Sequence, residues 1–131
     1  MPELSNAESA VSRATARCTV TMAAETRTKI AGQELAKGDV LGIARIAAIQ
    51  GAKRTSELVP SVQNSLLGAI TVDFELGDTS IEIVARVVSR DQGSVEMESL
   101  TACMVAALTI YDMCKAVDRS MSIGPIELVE R

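Results

Sequence analysis

The sequence has no histidine and no tryptophan, and among its 131 residues Phe74 and Tyr111 are the only aromatics. Each absence removes a class of function. Without histidine there is no imidazole general base, no Ser-His-Asp triad and no histidine-ligated zinc. Two rings cannot form a stacking platform for unpaired bases. A net charge of −4 also opposes a polyanionic partner, so no nucleic acid is expected. The cysteines Cys18, Cys103 and Cys114 are odd in number and show no CxxC spacing, which fits a reducing compartment and argues against a metal cage. No apolar run reaches the length of about 18 residues needed to span a bilayer. The opening "MPELSNAESA" lacks the basic and apolar regions of a signal peptide. The expectation is a cytoplasmic protein with no membrane contact. Lysine is scarce too, so acid–base chemistry falls to carboxylates, Lys29, Lys37, Lys53, Lys115, one tyrosine or the thiols.

What is present suits one domain. Apolar residues make up 47% of the chain, and a chain of this size buries roughly two-thirds of its unfolded surface. Residues 1–13 are expected to be a poorly ordered N-terminal segment, and 14–131 a single domain. Residues 14–22, "ATARCTVTM", alternate strictly between apolar and polar, as a half-buried strand does. "AETRTKIA" follows as a short polar helix, broken at Gly32. Asp39 stands in N-cap position before Val40, Ile43, Ala44, Ala47 and Ala48 at helical spacing, and Pro60 ends that helix. Residues 67–76 and 79–90 read as strands joined through "GD" at 77–78, a hairpin. A long helix from about Val95 to Val117 and a strand over 121–130 complete the chain.

The order is β-α-β-β-α-β. It predicts an α+β, ferredoxin-like fold, a four-stranded antiparallel sheet with helices packed on one face. The long helix is apolar nearly all round from Leu100 to Ile110, where a helix with one buried side would be striped. Both of its sides are therefore expected to be covered, the second by another subunit.

Charged residues gather at helix ends. Lys37 and Asp39 open the second helix, Arg45 interrupts its apolar run, and Lys53, Arg54 and Glu57 close it. Lys53 and Glu57 have the i,i+4 spacing of a surface pair. Glu96 and Glu98 start the long helix, where anions are favoured; Asp112 and Lys115 end it, where a cation is favoured. Asp112 and Lys115 lie one turn apart, so they face one way and form a candidate acid–base pair. Arg45, Lys53 and Arg54 are candidate clamps for phosphate oxygens. Composition and spacing reach an anion site and name no reaction.

"KGDVLGIARIAAIQGAKRTSELVP", "VEMESLTACMVAALTIYDMCKAVDRSM" and "IGPIELVE" resemble the MoaC family, the cyclic pyranopterin monophosphate synthases of molybdenum cofactor biosynthesis. The resemblance covers roughly residues 14 to 131, and "AALTIYDMCKAVD" is its most specific phrase. It implies a ferredoxin-like subunit in a hexamer, a trimer of dimers, with sites at dimer interfaces. It also implies a lyase that works without redox chemistry or a required organic cofactor, and no metal site is expected. The implied substrate is a small cyclised nucleotide, 3′,8-cyclo-7,8-dihydro-GTP, made by a radical-SAM partner and rearranged with loss of pyrophosphate. The family's essential aspartate falls on Asp112, its catalytic lysine on Lys115, and the lysine of its "KGD" motif on Lys37. Its substrate-contacting "EME" segment falls on Glu96, Met97 and Glu98.

The departures are specific. Where the family reads "LCHPL" after "SELVP", this chain has "SVQNS", so Ser61, Val62 and Gln63 replace leucine, cysteine and a substrate-touching histidine. The N-terminal D-V-S-x-K and T-x-R pattern does not appear: Ala10 and Ser12 stand where threonine and arginine belong. The sequence ends at "VER", before the family's Gly-Gly-Lys-Ser-Gly segment. Gln63 hydrogen-bonds but cannot titrate. Two rival readings therefore stay open. One is a non-catalytic paralogue serving as a binding or assembly subunit. The other is a diverged enzyme acting on another radical-SAM-derived nucleotide.

Overall fold

The computed structural model describes residues 11–130. The expected N-terminal segment 1–13 falls mostly outside these described residues. The elements are β1 (Arg13–Thr21), α1 (Ala24–Ala31), α2 (Val40–Lys53), the single turn α3 (Thr55–Leu58), β2 (Leu67–Leu76), β3 (Ser80–Ser89), α4 (Glu96–Cys114) and β4 (Ser122–Glu130). The strands form one antiparallel sheet in the order β2-β3-β1-β4. This is the ferredoxin-like α+β arrangement.

Local chemistry accounts for most boundaries. The Asp39 side chain accepts a hydrogen bond from the Gly42 amide at 3.1 Å and starts α2. Gly77 donates its amide to Ser80 O at 2.8 Å and reverses β2 into β3. Alternation in β1 sends Ala14, Ala16, Cys18 and Val20 to the helix side, where all four are fully buried with Ile81, Ile83, Ala85 and Val87 of β3. Two of the expectations shift. The second helix breaks at Arg54, whose amide bonds back to Gln50 O and Gly51 O, so α3 is a separate turn. With the helical repeat interrupted, Lys53 and Glu57 form no ion pair among the described residues. The long helix also ends at Cys114, three residues early, in a turn through residues 115–117.

By length and composition α4 is long and apolar enough to cross a bilayer, a longer apolar reach than the sequence suggested because its charges fall near its ends. Half of it is buried within this fold. One side packs on β1, β3 and β4, and another on α2. The sheet side uses Ala102, Cys103, Ala106 and Ile110; α2 answers with Ala44, Ala48, Gly51 and Ala52. A third side stays open, with Met104 47% and Leu108 63% exposed, so a single chain covers only part of the apolar surface expected to be covered.

Small residues let α2 and α4 approach closely, and Gly51 is the tightest point. A Cβ at Gly51 would lie 2.8 Å from Val105 Cγ2 and 3.1 Å from Val105 Cβ. Alanine in place of glycine favours a helix by about 1 kcal/mol. Overpacking costs about 1–3 kcal/mol, and a β-branched neighbour held to one rotamer cannot swing aside. The clash should win. Gly51→Ala is expected to lower the urea midpoint, and Gly51→Val to lower it further. In a Val105→Ala background the same Gly51→Ala change should become neutral or stabilising; an equal loss in both backgrounds would contradict this packing.

Candidate active site

Because α2 and α4 run antiparallel, the head of α2 meets the tail of α4. Lys37, two residues before the α2 cap, donates Nζ to the Asp112 carbonyl oxygen at 3.2 Å and lies 3.9 Å from Asp112 Oδ2. Lys115, one turn beyond Asp112, places Nζ 2.9 Å from Asp112 Oδ1. The three residues predicted to be catalytic thus form one cluster. The Lys115 hydrogen bond and charge, then the Lys37 charge, hold the Asp112 carboxyl below the usual carboxylate range. At neutral pH it is an anion between two ammonium groups. The cluster is open to solvent, with the Asp112 side chain 59% exposed.

The second group forms at the opposite end of α4. Ser61, Val62, Gln63, Ser65, Gly93, Ser94, Met97 and Glu98 line a cavity of about 260 Å³. Its rim is tied by Asp91, which accepts from the amides of Leu66 and Gly93, both at 3.0 Å. Those two bonds keep the Asp91 carboxyl below its ordinary range. Glu98 is 2% exposed, and its Oε1 has no hydrogen-bond partner. Burial pushes this carboxyl up. A buried oxygen with no protein partner on a cavity wall is placed to accept from, or when protonated to donate to, a polar group in the cavity.

Five of the predicted contact residues (Ser61, Val62, Gln63, Met97 and Glu98) therefore share one cavity. Glu96 sits on the first turn of α4 outside it, where its carbonyl accepts from Ser99 Oγ at 2.8 Å. Lys53 and Arg54 are exposed at the end of α2 and do not line the cavity. Arg45 joins neither group. Its Nε donates to Val72 O at 2.8 Å, and its guanidinium lies 5.2 Å from the Phe74 ring centroid. The thiols are buried, and burial first of all pushes Cys103 up to about 12 and Cys114 up to about 11.

Within one chain the two groups are far apart. Glu98 and Asp112 are 14 residues apart on one helix, or about 21 Å along its axis. The residue that sequence reasoning missed is Asp118. It is 7% exposed and accepts four hydrogen bonds: from Ala23 N at 2.9 Å, Thr26 Oγ1 at 2.7 Å, Ser120 N at 2.8 Å and Ser120 Oγ at 2.6 Å. Ser120, then the Ala23 amide, hold its carboxyl far below the usual range. Two of the donors lie 92 and 95 residues away, so no local pattern marks the site.

A ferredoxin-like sheet with a two-lysine carboxylate cluster at one end of α4 and a cavity holding Glu98 at the other define the class as an α+β protein. The sequence matches the MoaC family over residues 1–131, and the chain belongs to that family. It is 46% identical over 118 residues to the cyclic pyranopterin monophosphate synthase of Peptoclostridium acidaminophilum, covering 90% of this chain and 75% of that one. It is 47% identical to the protein of the same name from Pelotomaculum thermopropionicum, covering all of this chain and 78% of the relative. A molybdenum cofactor biosynthesis bifunctional protein of Chlorobaculum tepidum is 51% identical over 109 residues, 83% of this chain but 35% of that longer protein.

Glu98 gives a stability test of opposite sign to an ordinary salt-bridged carboxylate. Its folded value lies above the unfolded value of about 4.3. Ionisation therefore opposes folding at neutral pH, and that penalty fades as pH falls toward the unfolded value. Glu98→Gln is expected to raise the urea midpoint at pH 7.5 and to leave it nearly unchanged at pH 4. A lower midpoint at pH 7.5 would mean that Glu98 has a stabilising partner.

Proposed function

We propose that this chain is a cyclic pyranopterin monophosphate synthase of molybdenum cofactor biosynthesis: a lyase that rearranges 3′,8-cyclo-7,8-dihydro-GTP and releases pyrophosphate. The observation that carries the reading is the Lys37–Asp112–Lys115 cluster, with Lys115 Nζ 2.9 Å from Asp112 Oδ1, in a chain whose relatives bear that enzyme's name. In a protein without histidine, this cluster is the best available proton-transfer group. A lysine ammonium can deliver a proton, the Asp112 carboxylate can hold or receive one, and both ammonium groups can offset charge developing on phosphate oxygens. Closing a cyclic phosphate from a triphosphate forms a bond from a sugar hydroxyl oxygen to the α-phosphorus, breaks the P–O bond to the departing pyrophosphate, and passes the hydroxyl proton to the Asp112 carboxylate. The departing group carries the negative charge. Glu98, Met97 and Gln63 hold the nucleotide in the cavity, and Lys53 and Arg54 stand at the same end of α2 to meet anionic oxygens. The protein works in the cytoplasm.

A second chain would bridge the separation of about 21 Å between the two groups. Met97, Met104 and Leu108 recur at helical spacing on the open side of α4, with Ile43 and Ile46 of α2 also exposed. Two such faces packed antiparallel about a two-fold axis bury this apolar stripe. The same packing sets the cavity end of one α4 against the Asp112–Lys115 end of the other. A dimer built this way has two composite sites, and three such dimers make the hexamer that the family resemblance implies.

A second reading is favoured by one observation: Gln63, on the cavity wall, replaces the family histidine. A redirected pocket would accept another cyclised nucleotide. Restoring the imidazole separates the two, because it moves protons where an amide only holds them. Gln63→His should raise turnover of the cyclised GTP under the synthase reading. No change, or weaker nucleotide binding, favours the redirected pocket.

The direct test is anaerobic incubation of the purified protein with the cyclised GTP, followed for pyranopterin and pyrophosphate. Lys115→Met should cut turnover by at least about 10²-fold, the usual size of a lost general acid or base, with little change in thermal midpoint. Mixing Lys115→Met chains with Glu98→Ala chains should restore measurable turnover, since a mixed dimer keeps one site with both halves intact. Full activity in Lys115→Met protein would remove the catalytic assignment; no restoration on mixing would remove the shared site.

A further inference from the structure

The segment between β1 and α2 reaches the tail of α4 at two points. At its far end Lys37 donates to the Asp112 carbonyl at 3.2 Å. At its near end the Ala23 amide and the Thr26 hydroxyl donate to Asp118 Oδ2 at 2.9 and 2.7 Å. Between these points lies α1, which has little else to hold it. Only Thr26 and Ile30 are buried in α1, and its N-cap residue, Ala23, offers no side-chain cap. Asp118 instead accepts from the Ala23 amide and the Thr26 hydroxyl, from a position three residues beyond Lys115.

The geometry points to Asp118 as a positioning residue, whose carboxylate clasps the start of α1 to the tail of α4 and thereby sets Lys37 against Asp112. The other oxygen of the same carboxylate accepts from Ser120 N and Ser120 Oγ. It thus fixes the turn by which α4 passes into β4. The Asp118 amide donates to Cys114 O at 3.0 Å, so this turn is bonded directly onto the last turn of α4. From Ala23 onward the path is short. Helix α1 ends at Ala31, the Glu34 amide bonds back to Lys29 O, Leu35 is buried, and the Gly38 amide closes a turn on Leu35 O. A shift at the start of α1 is therefore passed to Lys37 by a run of bonded turns.

The effect on turnover rests on the synthase reading above; the clasp does not, and the test separates them. In the full-length protein, Asp118→Asn keeps the shape but presents an amide nitrogen to a donor. The carboxyl titration of Asp112 is followed by carbon NMR in wild type, Lys37→Met, Asp118→Asn and the double variant. The clasp predicts that Asp118→Asn moves the Asp112 titration upward, in the direction of Lys37→Met, and adds nothing to it in the double variant. An unmoved Asp112 in folded Asp118→Asn protein overturns the proposal. If Asp118→Asn does not fold, Thr26→Val, which deletes one donor and preserves shape, is read by the same criterion. In turnover of the cyclised GTP, Asp118→Asn should cost between about 10-fold and 10²-fold, the range for a misplaced catalytic group, and little further in a Lys37→Met background. Equal losses in both backgrounds overturn the link to Lys37. An inactive wild type removes the synthase reading alone, and the NMR result then decides the clasp.

Discussion

The antiparallel contact between α2 and α4 decides where every candidate residue lies. Its closeness depends on alanines and on Gly51, which leaves room for Val105. Because the helices run in opposite directions, the lysine before α2 meets the aspartate near the end of α4. The loop that follows α3 returns to the start of α4 and encloses the cavity there. A bulkier seam would move both groups, so the chemistry depends on a contact that carries no chemistry.

The two carboxylates at the ends of α4 sit in contrasting surroundings. Asp112 is exposed and flanked by two ammonium groups, which favour its anion. Glu98 is buried with its Oε1 unpartnered, and burial disfavours its anion. Such environments push the two acids apart, giving groups of different proton affinity at a single pH. A lone buried carboxylate also works against folding, and a cavity wall is where such a cost is tolerated when a ligand supplies the missing partner.

Much of this could be read in the sequence because it is local. Strict alternation marked β1, the Asp39 cap marked the start of α2, and "GD" marked the hairpin; each depends on residues within a few positions of one another. The Asp112–Lys115 pairing was legible for the same reason, being one helical turn. Lys37 was placed only by family resemblance, since its contact spans 75 residues. Arg45 shows the limit from the other side. Its spacing suggested a phosphate clamp, yet its bond to Val72 and its place beside Phe74 exist only once β2 lies against α2. Asp118 is not singled out in the sequence, because two of its four hydrogen bonds come from Ala23 and Thr26 at the far end of the chain. Which side of α4 stays open likewise depends on the packing of α2, which composition does not encode.

The sheet order also bears on how the chain is made. The first strand, β1, occupies an interior place between β3 and β4, and its outer neighbour is the last element of the described chain. The bond from Arg17 to Glu127 joins residues 110 positions apart. During synthesis from the N-terminus, β1 can pair with β3 long before β4 exists, and it then waits with a row of unpaired backbone groups along one side. Such an edge is a template for any other strand within reach. Contacts of this sequence separation also slow folding. The nascent chain is therefore most vulnerable to wrong partners in the interval between the emergence of β3 and that of β4, and α4, the long helix made in that interval, is the element available to shelter it.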